Sequence, residues 1–255
     1  MLYSGHLNCY SRAVFFLMVV RVEYPPPRTP RTASGRSRQA EKSLSTQTAV
    51  LEATIACLVN LGYHHTTMER IAKQAKVSRG AMMHHYRDRA DLIEKTARYL
   101  TEKRIAEFEK LSRTVTKPVI NQEGPTIKTS RQGIELTRRF HALPSFTAFH
   151  ELLLAARTDE QLAKIVRQCQ QIINDEIPKR LVELYPFWAK KPDIMLLLYD
   201  LVQSSSRGIA MNHMDELESW RLSRLEGLLA EIVQEKYTDA FRSEETVPQS
   251  NPAYK

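Results

Sequence analysis

The chain has 255 residues, 42% of them hydrophobic, which is enough to bury a full core in one large domain or in a small domain joined to a larger one, as expected of an ordinary soluble globular protein. Thirty-seven basic residues against 29 acidic ones give a formal net charge of +8, which favours an anionic partner without separating nucleic acid from acidic lipid. Cys9, Cys57 and Cys169 lie far apart, with no CxxC pair and no close Cys/His spacing, so neither a disulfide framework nor a structural zinc site is indicated and a reducing cytoplasm is the expected setting.

In chain order, the first apolar stretch, residues 13–20, is bounded by Arg12 and Arg21. It is far short of the roughly 20 apolar residues a spanning helix needs, and no small-residue cleavage site follows it, so neither membrane insertion nor secretion is expected. Residues 24–43 hold three consecutive prolines and Arg28, Arg31, Arg36, Arg38 and Lys42 against Glu41 alone. The expectation for 1–43 is a disordered basic extension, either an arm along a phosphate backbone or a solvated linker, or else the product of a start read too far upstream, with Met18 one later start.

Beyond Ser45 the pattern is helical almost to Tyr237, with no alternating strand, so an all-α fold is predicted. The first helix takes Ser45 or Thr46 as N-cap, returns Leu51, Ile55 and Leu58 to one face with Val50 and Cys57 alongside, and stops at Gly62. Thr66 or Thr67 caps the second, Glu69 standing where a capping box with Thr66 requires, and Met68, Ile71, Ala72 and Ala75 form its buried stripe. After a turn at Lys76-Val77, Ser78 caps a third short helix. Met82 and Tyr86 point inward there, leaving Arg79, Gly80, Met83, His84 and His85 outside. Asp88 caps a fourth helix that starts at Arg89 and carries Leu92, Ile93 and Leu100.

Two short helices joined by a tight turn, the second with a basic and polar N-terminal half, fit the geometry in which a recognition helix enters the major groove of DNA. Between Arg36 and Arg104 basic residues outnumber acidic ones by roughly two to one, so the positive charge is concentrated around this motif. The pairs His64-His65 and His84-His85 do not read as metal ligands, because neighbours on a helix diverge by about 100° and no Cys or carboxylate completes a set. No nucleophile elbow, phosphate-cradling loop or HExxH pair is present, so no catalytic residue, metal or cofactor is expected.

The run Thr66-Thr67-Met68-Glu69-Arg70-Ile71-Ala72, then Ala75-Lys76-Val77-Ser78-Arg79-Gly80, then His84-His85-Tyr86, with Arg89, Asp91 and Leu92 after it, resembles the N-terminal domain of the TetR/AcrR (tetracycline-repressor-like) regulators. The resemblance covers about a fifth of the chain. It implies that Thr67 bonds a backbone phosphate and that Ser78 opens the recognition helix. It further implies that Arg79 and Gly80 approach bases or phosphates, that His84 and His85 lie on the groove wall, and that Arg89 replaces the family's phosphate-binding lysine. Met83 stands where the family often has a tyrosine that contacts phosphate, and its thioether cannot donate that bond. Lys76 stands where a glycine is common, at a cost on the order of 1 kcal/mol if its φ is positive.

Downstream, a Pro-, Gly- and Thr-rich break spans 114–130, and Pro144, Pro178, Pro186 and Pro192 mark starts, stops or bends. Phe140, Phe146, Phe149, Tyr185, Phe187, Trp188 and Met195 suit either core or cavity walls, so no ligand-binding residue is assigned. Residues 194–214 read as one long helix, and Leu217, Trp220, Leu225, Leu228, Leu229 and Ile232 as the apolar stripe of the next. Resemblance to the family implies that these last two helices form a homodimer interface.

The domain boundaries expected are 1–43 for the extension, 44–100 for a three-helix helix-turn-helix domain, 101–237 for an α-helical effector-binding and dimerisation bundle, and 238–255 for a disordered tail. The function implied is a repressor in the cytoplasm, bound as a homodimer to a near-palindromic double-stranded DNA operator and released by an unidentified small-molecule effector. Two alternatives stand beside it: a sequence-indifferent DNA-binding protein, and an all-α enzyme without a recognisable motif.

Overall fold

The computed structural model describes residues 35–115, 124–212 and 219–245, and among these every regular element is helical. The expected basic arm before Gly35 and the last ten residues lie outside the described residues. The chain divides into two units, 1–43 and 44–255.

Helix α1 is Gly35–His65, followed by α2 (Met68–Ala75), α3 (Arg79–Met83) and α4 (Arg89–Ser112). The expected N-cap at Ser45 or Thr46 is not used: the helix already runs through both, because Arg36, Arg38, Gln39, Ala40, Glu41 and Lys42 are all good helix formers. Gly62 breaks it as expected, with φ 75° and ψ 170°, and one more turn follows.

The single apolar face read for α1 is in fact two. Val50, Ala53 and Cys57 pack with Ile71, Ala72, Met82, Tyr86 and Leu92 in the core of the N-terminal helices. Ile55 and Leu58 join Ile93, Ala97, Leu100 and Phe108 in the core of the body. This two-sided burial explains why the segment Glu41–His65 is apolar and long enough to cross a membrane by composition alone. Its apolar residues serve two protein cores instead.

The body consists of α5 (Ile127–His141), α6 (Pro144–Ala155), α7 (Glu160–Leu184), a 3₁₀ turn (Pro186–Lys190), α8 (Pro192–Met211) and α9 (Ser219–Glu245). Thr126 and Thr129 close a reciprocal capping box at the start of α5. Pro144, Pro186 and Pro192 each occupy a first turn, where a missing N–H costs nothing, whereas Pro178 is carried inside α7. Helix α4 packs against α7, and α5 against α8 and α9.

Of the tail expected over 238–255, residues up to Glu245 are helical and the rest lie outside the described residues. Phe241 follows Tyr237 by one turn, their rings 5.0 Å apart, and packs on the main core, so α9 continues to Glu245. The aromatic residues proposed as core or lining do both. Phe140, Phe146 and Phe149 border one cavity, Tyr185, Phe187, Trp188 and Met195 a second, and Tyr199 reaches both.

Candidate nucleic-acid interface

Helices α2 and α3 are capped by the side chains the sequence offered. Thr67 is exposed and its Oγ1 accepts from the Arg70 N–H at 3.3 Å. Its neighbour Thr66 does not form the box with Glu69: it is fully buried and donates to the Gly62 carbonyl at 2.7 Å, which ties it to the preceding helix. Ser78 Oγ accepts from the Ala81 N–H at 3.1 Å, turning the start of α3 outward. Between the two helices Lys76 adopts φ 55° and ψ 38°, the left-handed conformation in which a glycine is unstrained.

The third helix is anchored from below. Met82 has no exposed surface and Tyr86 is 3% exposed, while Arg79, Gly80, Met83 and His84 are exposed and His85 half-buried. Tyr86 donates its hydroxyl to the Gln47 carbonyl at 3.1 Å; burial, reinforced by nearby Asp91, pushes its pKa up to about 12, so it stays a neutral donor. The Gln47 amide nitrogen lies 3.2 Å from His85 Nδ1, which fixes that ring against α1. A methyl group added at Gly80 meets nothing within 4 Å, so the surface there is open to close approach.

From α4, Lys95 donates to the His85 carbonyl at 3.1 Å and to Asp91 at 3.0 Å, and its ammonium stands 5.1 Å from the Tyr86 ring centre. Burial pushes the Asp91 carboxyl up, but Lys95 and the Arg87 N–H outweigh it, so the group lies below its ordinary value. Asp88 caps α4, accepting from the Asp91 N–H at 2.8 Å. Gln47 and Lys95 are supports that sequence reasoning missed, since neither belongs to the motif and only the fold brings them beneath α3.

Arg89 is half-buried and bonded to the scaffold. Its Nε donates to the Thr66 carbonyl at 2.8 Å and its Nη2 to the Tyr63 carbonyl at 2.6 Å, with the guanidinium 4.2 Å above the Tyr63 ring. It closes the end of α1, where carbonyls have lost their helical partners. Thr67, Ser78, Arg79, Gly80, Met83 and His84 are therefore exposed on two successive helices, while His85 and Arg89 are partly committed to the scaffold beneath.

Residues 50–96 match the family described as bacterial regulatory proteins, tetR family. Over 206 residues the chain is 26% identical to the HTH-type transcriptional regulator CymR of Pseudomonas putida, covering 79% of this chain and 96% of that protein. Over 51 residues it is 43% identical to the HTH-type transcriptional regulator BetI of Yersinia pestis, a match spanning 26% of the latter. The solved structure of a TetR-family transcriptional regulator from Mesorhizobium loti superposes with a TM-score of 0.56 at 13% identity, covering 75% of this chain and 96% of that one, and so shares its fold. The helix-turn-helix geometry and these relatives agree: residues 50–96 carry the DNA-binding segment of the tetR family of bacterial regulatory proteins, and the comparisons support a DNA-binding transcriptional regulator similar to that family.

Proposed function

We propose that the chain acts in the cytoplasm as a homodimeric repressor. In this reading residues 44–100 place α3 in the major groove of a near-palindromic operator, and residues 101–237 bind a small-molecule effector that releases it. The observation that carries this reading is the two-sidedness of α3. Met82 and Tyr86 are locked into the core, and the opposite face presents Arg79, Gly80, Met83 and His84 to solvent. Thr67 and Ser78, each at the start of a helix, suit phosphate oxygens through their hydroxyls and the adjacent N–H groups. Arg79 suits a guanine edge, which it can bond with two N–H groups at once. His85 contributes from the flank, and Arg89 supports the reading by fixing the turn that carries Thr67.

Dimerisation is supported by leucines and isoleucine on the last two helices that one subunit leaves in solvent, among them Leu197 and Leu201 on α8 and Leu228 and Ile232 on α9. The free, buried Cys57 and Cys169 suit a reducing compartment. With purified protein and DNA from upstream of its own gene, Arg79→Ala is expected to weaken specific binding by about 1–3 kcal/mol while leaving random duplex almost unaffected at fixed salt. Equal losses on both DNAs remove the base-reading role and favour the sequence-indifferent alternative.

A further inference from the structure

The larger cavity of the body, about 390 Å³, is bordered by α4, α5, α6, α7 and α8 and falls in the size range of small-molecule sites. Its least ordinary feature is Arg104 on α4, which is only 4% exposed. Neither its Nε nor its Nη1 has a hydrogen-bond partner within the protein. The guanidinium lies instead over aromatic rings, 4.4 Å from the centre of Phe140 and 5.3 Å from that of Phe146. Arg207, also on the lining, has a buried Nε in the same condition. Glu107 on α4 is engaged by the Ser145 hydroxyl.

A buried guanidinium with bare N–H groups is strongly disfavoured unless something accepts from it, and its planar fork matches a carboxylate. Burial pushes Arg104 down to about 10, which leaves it charged at neutral pH. Burial also pushes His141 down to about 3, with Arg104, Arg207 and His150 adding to the effect, so it stays neutral and adds no positive charge. Asp200 shares the lining with the two guanidiniums, and Glu107 acts on Arg104 from beside it. With two carboxylates already near two guanidiniums, the bare N–H groups of Arg104 suit a single planar carboxylate better than a dianion such as phosphate. Phe146, Phe149, Leu153 and Ile173 supply apolar wall beside this charged end.

We propose that this cavity is the effector site and takes a small organic monocarboxylate, its carboxylate held by Arg104 with Arg207 beside it and its compact apolar body lying against Phe146, Phe149 and Ile173. The effector role rests on the regulator reading above, whereas the binding itself does not. Two elements give the site a route to the DNA-binding helices. Arg104 sits on α4 fifteen residues, about 22 Å, beyond Arg89, which clamps the end of α1. On α6, Phe146, Phe149 and His150 line the cavity, and the next residue, Glu151, accepts from the Tyr63 N–H at 3.0 Å.

The test is calorimetric titration of the full chain with benzoate, 2-naphthoate and octanoate, and with benzamide as a neutral isostere and inorganic phosphate as a dianion. Saturable binding of at least one carboxylate is expected, with benzamide at least about tenfold weaker, as the loss of one charge-assisted pair implies. Arg104→Met is expected to lose carboxylate binding by a similar factor, and to raise the melting temperature of the ligand-free protein, because an apolar side chain replaces an unpaired buried charge. Arg207→Met provides a second, less buried variant with the same expected loss.

The proposal is overturned if no carboxylate binds at millimolar concentration, if phosphate binds in preference, or if both methionine variants bind carboxylate as the parent does. Binding that leaves affinity for the upstream DNA unchanged supports the carboxylate site and refutes its effector role. Failure to bind that DNA in any state refutes the regulator reading instead.

Discussion

Lys76 is the one non-glycine residue with positive φ among the described residues, and it holds the turn on which α3 is aimed. Its N–H and that of Val77 reach back to the Lys73 and Ala72 carbonyls, so the strained conformation also satisfies the end of α2. Lys76→Gly is expected to stabilise the protein by about 0.5–1 kcal/mol, relief of the side-chain strain exceeding the added freedom of the unfolded chain, and urea unfolding would show it. A destabilised glycine variant contradicts the strain argument. For Arg89 the family resemblance implies a phosphate contact, and the geometry adds a structural duty. Arg89→Ala removes two charged hydrogen bonds and a ring contact, so a loss of about 1.5–3 kcal/mol of stability is expected. The salt dependence of DNA binding separates the two duties: a slope reduced by about one unit supports the phosphate contact, and an unchanged slope leaves the structural duty alone.

At the scale of elements, what the sequence revealed were local rules. Thr67, Ser78 and Asp88 cap the helices they were expected to cap, and Gly62 breaks α1, because a hydroxyl, a carboxylate and a missing Cβ each act within a few residues. The start of α1 was missed for the same reason: Ser45 and Thr46 have cap chemistry, but the residues before them prefer the helix strongly enough to run through it. Contacts between distant segments had no local signal at all. Gln47 beneath His85, Arg104 beneath Phe140 and Glu151 on Tyr63 arise only when helices meet, and no spacing rule joins residues that far apart. The last of these has a measurable consequence. Gly62 interrupts the helical hydrogen bonding and Glu151 accepts the N–H of the residue after it, so Glu151→Ala should speed hydrogen exchange at the Tyr63 amide and cost about 1 kcal/mol. Unchanged protection at that amide means the link between α6 and α1 is not made in solution.

For the whole molecule, the decisive question is what covers the outer faces of α8 and α9. Their inner faces are used: Leu198 and Val202 pack with Ile134, Leu229, Ala230 and Val233 in a core of their own. Leu197 is nevertheless 67% exposed, with Leu201 one turn on, and Leu228 and Ile232 repeat the four-residue spacing on α9. Such stripes on two adjoining elements suit a twofold interface, in which the same patch from a second copy completes the burial. Leu201→Glu combined with Leu228→Glu places carboxylates within the proposed seam while leaving the inner core intact. Sedimentation should then give the mass of one 29.4 kDa chain where the parent gives twice that, with helicity unchanged by circular dichroism. Because two linked recognition helices bind far more tightly than one, affinity for the upstream DNA should fall by about 100-fold or more, while affinity for random duplex falls less. A parent protein that sediments as a single chain at micromolar concentration and still binds that DNA tightly would remove the twofold operator from the proposal, and the exposed leucines would then need a different partner.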